Sequence, residues 1–251
     1  MLLKKISISV ILASISLLFT PLGLLANTNS ALENNVDKLK VSVREYHPKE
    51  KNFAQAVIAC DPTTGDPVTY GITGWRLPSN VHYRINTSNA PSSVRSNFQN
   101  IAASSFQTWT GASGGKVSFV YDGKTSSSRA RLDFQNTVVW GRTSSNALAV
   151  TYTWYYTNTG QVADVDTVFN NRVKWGWTDP STVNVETQCG PTTSYDVQDV
   201  LTHETGHWMG LDDRYAPSEK DLTMYGYASP GELKKELLQT GDLAGIAAIY
   251  P

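Results

Sequence analysis

The chain has 251 residues, 40% of them hydrophobic and 17% charged, which suits one good apolar core beneath an ordinary polar surface. Its formal net charge of -1 leaves no basic surplus, so neither nucleic acid nor an anionic membrane is expected as the main partner.

The N-terminus differs from the rest. Lys4 and Lys5 precede an apolar run from Ile6 to Thr20, Pro21 breaks it, and Ala26 offers a small residue before a cut at Asn27. This is the pattern of a secretory signal peptide over residues 1–26; an uncleaved anchor is the competing reading, because the run is long enough to span a bilayer. Cleavage removes both lysines and no acid, so the exported protein is mildly acidic. No second run of spanning length follows, and an extracellular monomer with no stable membrane association is expected.

Residues 27–69 are the least regular part. They are polar, carry a charged cluster from Arg44 to Lys51, and read as an N-terminal arm or a short pro-segment. Cys60 opens a turn-rich stretch, CDPTTGDPVTYG. With Cys189 it makes an even pair, which in an exported protein suggests a disulfide. Closing a loop of that length is worth roughly 4–5 kcal/mol in the chain-entropy model.

The regular domain is expected over residues 70–251. VHYRIN (81–86) alternates and is rich in strand formers. In the following segment Val94, Phe98, Ile101, Ala102, Phe106 and Trp109 recur at spacings of three and four, which predicts an amphipathic helix capped by Ser92 or Ser93. KVSFVYDG (116–123) and ARLDFQNT (130–137) read as strands. Residues 146–170 hold two β-rich runs joined by TNTG, a hairpin-like turn. Asp164 and Asp166 alternate with apolar residues there, as a candidate calcium pair or a solvated strand face. KWGWTDPST (174–182) reads as a loop. SYDVQDVLTHETGHWMG (194–210) predicts a second helix, with Ser194 as its cap and Gly210 as its stop. GELKKELLQTGDLAGIAAIY closes the chain as a helix in one or two pieces.

The second helix carries the chemistry. Positions four apart differ by about 40° around a helix axis, so His203 and His207 project from one face and can meet one zinc ion. Glu204 lies on the flank of that face, placed to deprotonate a metal-bound water without binding the metal. A catalytic zinc takes three protein ligands. Gly210 lets the chain turn back, and Asp213 is then placed to be the third; Asp212 is the adjacent competitor.

HETGHWMGLDD resembles the HExxHxxGxxH/D motif of the metzincin metallopeptidases, and its Asp ending is similar to that of the snapalysins, small secreted bacterial proteases. Residues 70–251 as a whole are similar to matrixin catalytic domains. The resemblance implies an α/β (α+β) zincin: a twisted mixed sheet of about five strands, an active-site helix, a backing helix and a C-terminal helix. It implies a secreted zinc endopeptidase acting on proteins or peptides, with one catalytic zinc and Glu204 as general base. It makes Met224, in DLTMYGY, the Met-turn that floors the metal without ligating it. It offers Tyr225 or Tyr227 as a donor to the tetrahedral intermediate, against simple packing. Substrate is expected to pair its backbone with the edge strand near residues 146–153.

The chain departs from the matrixin pattern in three ways. Asp213 replaces a histidine, the loop that holds a structural zinc is absent, and no cysteine-switch motif is evident. Cys60 as a zinc-binding thiolate in a latent form competes with the Cys60–Cys189 disulfide. Two other functions stay open: a gluzincin-type peptidase with Glu232 or Glu236 as third ligand, and a secreted binding module with a structural zinc.

Overall fold

The computed structural model describes residues 38–49, 60–61, 65–143 and 146–251; the expected signal peptide lies outside them. The main sheet is built from β1 (Leu39–Pro48), β2 (Asn80–Ile85), β3 (Ser118–Lys124), β4 (Asn136–Gly141), β5 (Ala149–Tyr156), β6 (Val162–Asn170) and β9 (Tyr227–Ala228). Their order is β3-β2-β4-β6-β5-β1-β9. β2, β3, β4 and β6 run parallel, and β5 returns antiparallel beside β6 through the predicted turn at 157–160. A two-stranded ladder pairs β7 (Trp175–Gly176) with β8 (Tyr195–Asp196).

The predicted apolar stripe is entirely buried, but it spans two helices, α1 (Ser92–Arg95) and α2 (Phe98–Ala112). The first turn closes early, Asn97 N to Val94 O at 3.1 Å, and the stripe keeps its register across the break. Neither Ser92 nor Ser93 caps it; Ser93 Oγ instead donates to Trp175 O. α2 packs Ile101, Phe106 and Trp109 into a core shared with α3 (Val197–Met209), which contributes Val200, Leu201 and Trp208. α4 (Thr240–Ile249) follows a 3-10 turn at Lys234–Glu236, so the closing helical region is in two pieces.

Residues 130–135 form a loop, and the strand is the next segment, NTVVWG. The cause lies on β6. Asp164 accepts N–H bonds from Asp133 and Phe134, and Asp166 from Arg131 and Thr137, so their carboxylates pull the segment into a loop. Both aspartates are buried, which overturns the solvated strand face.

The arm also differs from its expected irregularity. Leu39–Pro48 is a ten-residue strand, antiparallel to β5 and, at its end, parallel to β9. Its order comes from strands more than a hundred residues away, which local composition does not reveal. Cys60 and Cys189 are disulfide-bonded, which removes Cys60 as a zinc-binding thiolate.

Candidate metal centre and active site

α3 is buried along its whole length. Its cap is Asp196, two residues after the expected Ser194: the carboxylate accepts Gln198 N at 2.8 Å and Asp199 N at 3.3 Å. The helix stops at Gly210, whose φ of 99° is the left-handed C-cap that glycine adopts freely. Beyond it, Arg214 N donates to Met224 O and Gly226 N to Arg214 O. This short bridge returns Asp213 to the face that carries His203 and His207.

The two imidazoles are held by carbonyls. His203 Nδ1 lies 2.7 Å from Thr223 O, and His207 Nδ1 lies 3.0 Å from Leu211 O. A carbonyl only accepts, so each Nδ1 carries the hydrogen and each Nε2 of a neutral ring presents a lone pair. Both Nε2 atoms face Asp213 Oδ1, at 3.3 and 3.5 Å. Oxygen and nitrogen ligands about 2.0–2.1 Å from a tetrahedral zinc are themselves about 3.3–3.4 Å apart. All three donors are buried and lack a hydrogen-bond partner. Asp213's charge demands a cation: burial takes His203 down to about 4, yet His207, also buried, rises to about 9 against that carboxylate. A divalent metal meets the same demand, so the donor set fits zinc. Among the described residues this is the one cluster of three such groups placed to hold an ion.

Glu204 lies beside the cluster, fully buried. Its Oε2 accepts from Thr151, while Oε1 has no partner. The contact begins a directed chain. Trp208 Nε1 donates to Thr167 Oγ1 at 2.9 Å, and the two threonine hydroxyls lie 2.6 Å apart. With the indole as donor at one end and a carboxylate as acceptor at the other, Thr167 donates to Thr151 and Thr151 to Glu204. Burial pushes the Glu204 carboxyl up to about 7, with His207 and Thr151 opposing.

The matrixin family model matches residues 74–251. The chain belongs to the matrixin family. It is therefore a zinc metalloendopeptidase, and proteins are its substrates. Comparison with curated proteins finds no match.

In this matrixin Met224 is buried under α3. Gly206, between Glu204 and His207, admits it: a Cβ there would collide with Met224 Sδ and lie 2.9 Å from Trp109 Cζ2. Asp242 on α4 holds the turn by accepting Thr223 N and Met224 N. Tyr225 faces Lys235 and Tyr227, and Tyr227 stacks edge-on against both Tyr225 and Tyr215. Tyr215, which no sequence motif singles out, borders the same crevice as Asp213, and burial with the Asp213 charge pushes its phenol up.

Other candidates are engaged elsewhere. Asp212 is ion-paired with Arg44 at 2.8 Å and its side chain stays 40% exposed, so it is a solvated turn residue outside the donor cluster. Glu232 pairs with Lys235 at 2.8 Å, and Glu236 accepts Gln198 Nε2 at 2.6 Å. Neither belongs to the donor cluster, against the gluzincin-type alternative. Asp164 and Asp166 spend three of their four oxygens on N–H and hydroxyl donors, which gives the pair a loop-anchoring role beside the calcium reading.

Proposed function

We propose that this matrixin is exported and that it hydrolyses internal peptide bonds of proteins, acting as a monomer. In this reading His203, His207 and Asp213 hold one zinc ion and Glu204 is the general base. The observation that carries it is the convergence of three buried donors without partners, beside a carboxylate oxygen that is also without one. A zinc ion held by His203, His207 and Asp213 would supply Lewis acidity, lowering the pKa of a water and polarising the scissile carbonyl. Glu204 Oε1 takes the proton of the attacking water and passes it to the departing amine nitrogen. Thr151 keeps the other oxygen occupied and so fixes which oxygen is free. The Cys60–Cys189 disulfide supports an oxidising, extracellular destination.

Glu204→Ala is expected to retain zinc and to lose casein hydrolysis, whereas Asp213→Ala loses zinc and Glu232→Ala keeps it. Metal content after dialysis and casein turnover read both. Casein hydrolysis by Glu204→Ala at the wild-type rate would remove Glu204 from the mechanism. Zinc retained by Asp213→Ala but lost by Glu232→Ala would move the third ligand.

A further inference from the structure

The position expected for a substrate on β5 is filled by the chain itself. β1 runs antiparallel along β5, with Arg44 opposite Thr151 and Tyr46 opposite Ala149. It then runs parallel to β9, with His47 opposite Tyr227. Leu148 N donates to Tyr46 O at 2.7 Å, and Lys49 N donates to Ala228 O at 2.8 Å, so both walls of the cleft bind this backbone. Addition of a strand to a sheet edge is how an extended peptide is recognised.

The side chains agree. Tyr46 is fully buried and its ring stacks on His203, with centroids 3.7 Å apart and planes 12° from parallel. Lys235 Nζ lies 5.9 Å from the ring centre, and the Asp199 and Glu232 carboxylates also act on the phenol. Tyr46 thus enters a pocket that begins at a metal-binding imidazole and ends at buried charges. Arg44 reaches Asp212 and lies over Trp75. Glu45 and Asp213 border one crevice of about 410 Å³. The Glu45–Tyr46 bond therefore runs between the Asp213 side of the cluster and the His203 side. The opposite face of β1 is left to solvent, with Val41 and Val43 exposed.

We infer that β1 is the enzyme's own peptide seated as a substrate, that Tyr46 fills the pocket for the residue after the scissile bond, and that the enzyme cuts on the amino side of tyrosine. The inference rests on the peptidase reading above. Hydrolysis puts the water oxygen on the carbonyl carbon of the residue before tyrosine and a proton on the tyrosine nitrogen. While β1 stays in place, other peptides are excluded.

The test compares the full chain with its Tyr46→Ala and Arg44→Ala variants, each with zinc, and each again carrying Glu204→Gln to prevent turnover. Both cleft variants are expected to hydrolyse casein at least about tenfold faster than the parent, from loss of one buried anchor residue. In the Glu204→Gln forms, amide hydrogen exchange on residues 148–154 is expected to speed up when Tyr46 or Arg44 is replaced. The synthetic peptide LKVSVREYHP is expected to be cut between glutamate and tyrosine. Its version with alanine for tyrosine is expected to be cut at least about tenfold more slowly. Unchanged exchange and unchanged casein rates in both variants would overturn β1 as occupant. Equal cutting of the two peptides would overturn the tyrosine pocket. Faster exchange with no hydrolysis of casein or peptide by any form would overturn the peptidase reading instead, with β1 still the occupant.

Discussion

Glu204 has two oxygens with different fates. One is fixed by a line of donors that starts at an indole and passes through two threonines; the other is free. Such a line sets the orientation of a base more than its existence. Thr151→Val is expected to lower kcat about tenfold or more with little change in KM, the scale of one lost hydrogen bond to a charged group. Zinc content should stay whole and Thr151→Ser should restore most of the rate; loss of zinc in the valine variant would show a structural role instead. The residues of the proposed site, His203, Glu204, His207 and Asp213, were legible as a group because they lie within eleven residues on a helix and its turn. Thr151, Thr167, Tyr215 and Asp242 were not, because they reach the site through strands and turns whose placement no local period encodes. Asp213 was legible only through Gly210, which makes a return of the chain necessary.

At the scale of elements, α3 depends on its cap. Burial pushes the Asp196 carboxyl up to about 6, although three backbone N–H groups favour its charged form. A folded-state pKa above the unfolded value of about 3.9 gives stability that is complete below pH 4 and lost as pH rises to 6. Relative to Asp196→Asn, which does not titrate, wild type should therefore lose about 1–3 kcal/mol between pH 3.5 and 7.5. Urea unfolding of both proteins across that range measures it, and a constant difference would contradict the shift. Helices and the hairpin were readable from period and turn chemistry. Two strands were not. NTVVWG was hidden behind ARLDFQ, which has a strand's composition but is drawn into a loop by Asp164 and Asp166. β1 has a strand's alternation at Leu39, Val41 and Val43, but the run is short, set in a polar arm, and its partners β5 and β9 lie more than a hundred residues on.

For the whole molecule, the disulfide is the longest covalent constraint, joining residues 129 apart. Cys60→Ser with Cys189→Ser is expected to destabilise the fold by about 4–5 kcal/mol in the chain-entropy model. The proposed zinc donors are not bonded to either cysteine, so metal binding below the new melting temperature should be unchanged. Calorimetry and zinc titration of the double variant check both, and a lost zinc site would tie the bridge directly to the metal centre.

The position of that bridge relative to β1 has a kinetic meaning. Cys60 pins the chain twelve residues after Pro48, so β1 competes for the cleft as a tethered ligand. A short tether holds its ligand at an effective concentration of order millimolar, which few free proteins reach. One cut between Lys49 and Cys60 turns the same contacts into a bimolecular complex. At nanomolar enzyme the released strand is then diluted about a million-fold, and it does not return. The cleft thus opens like a fuse, once and by a single break, and the disulfide stays with the half that remains.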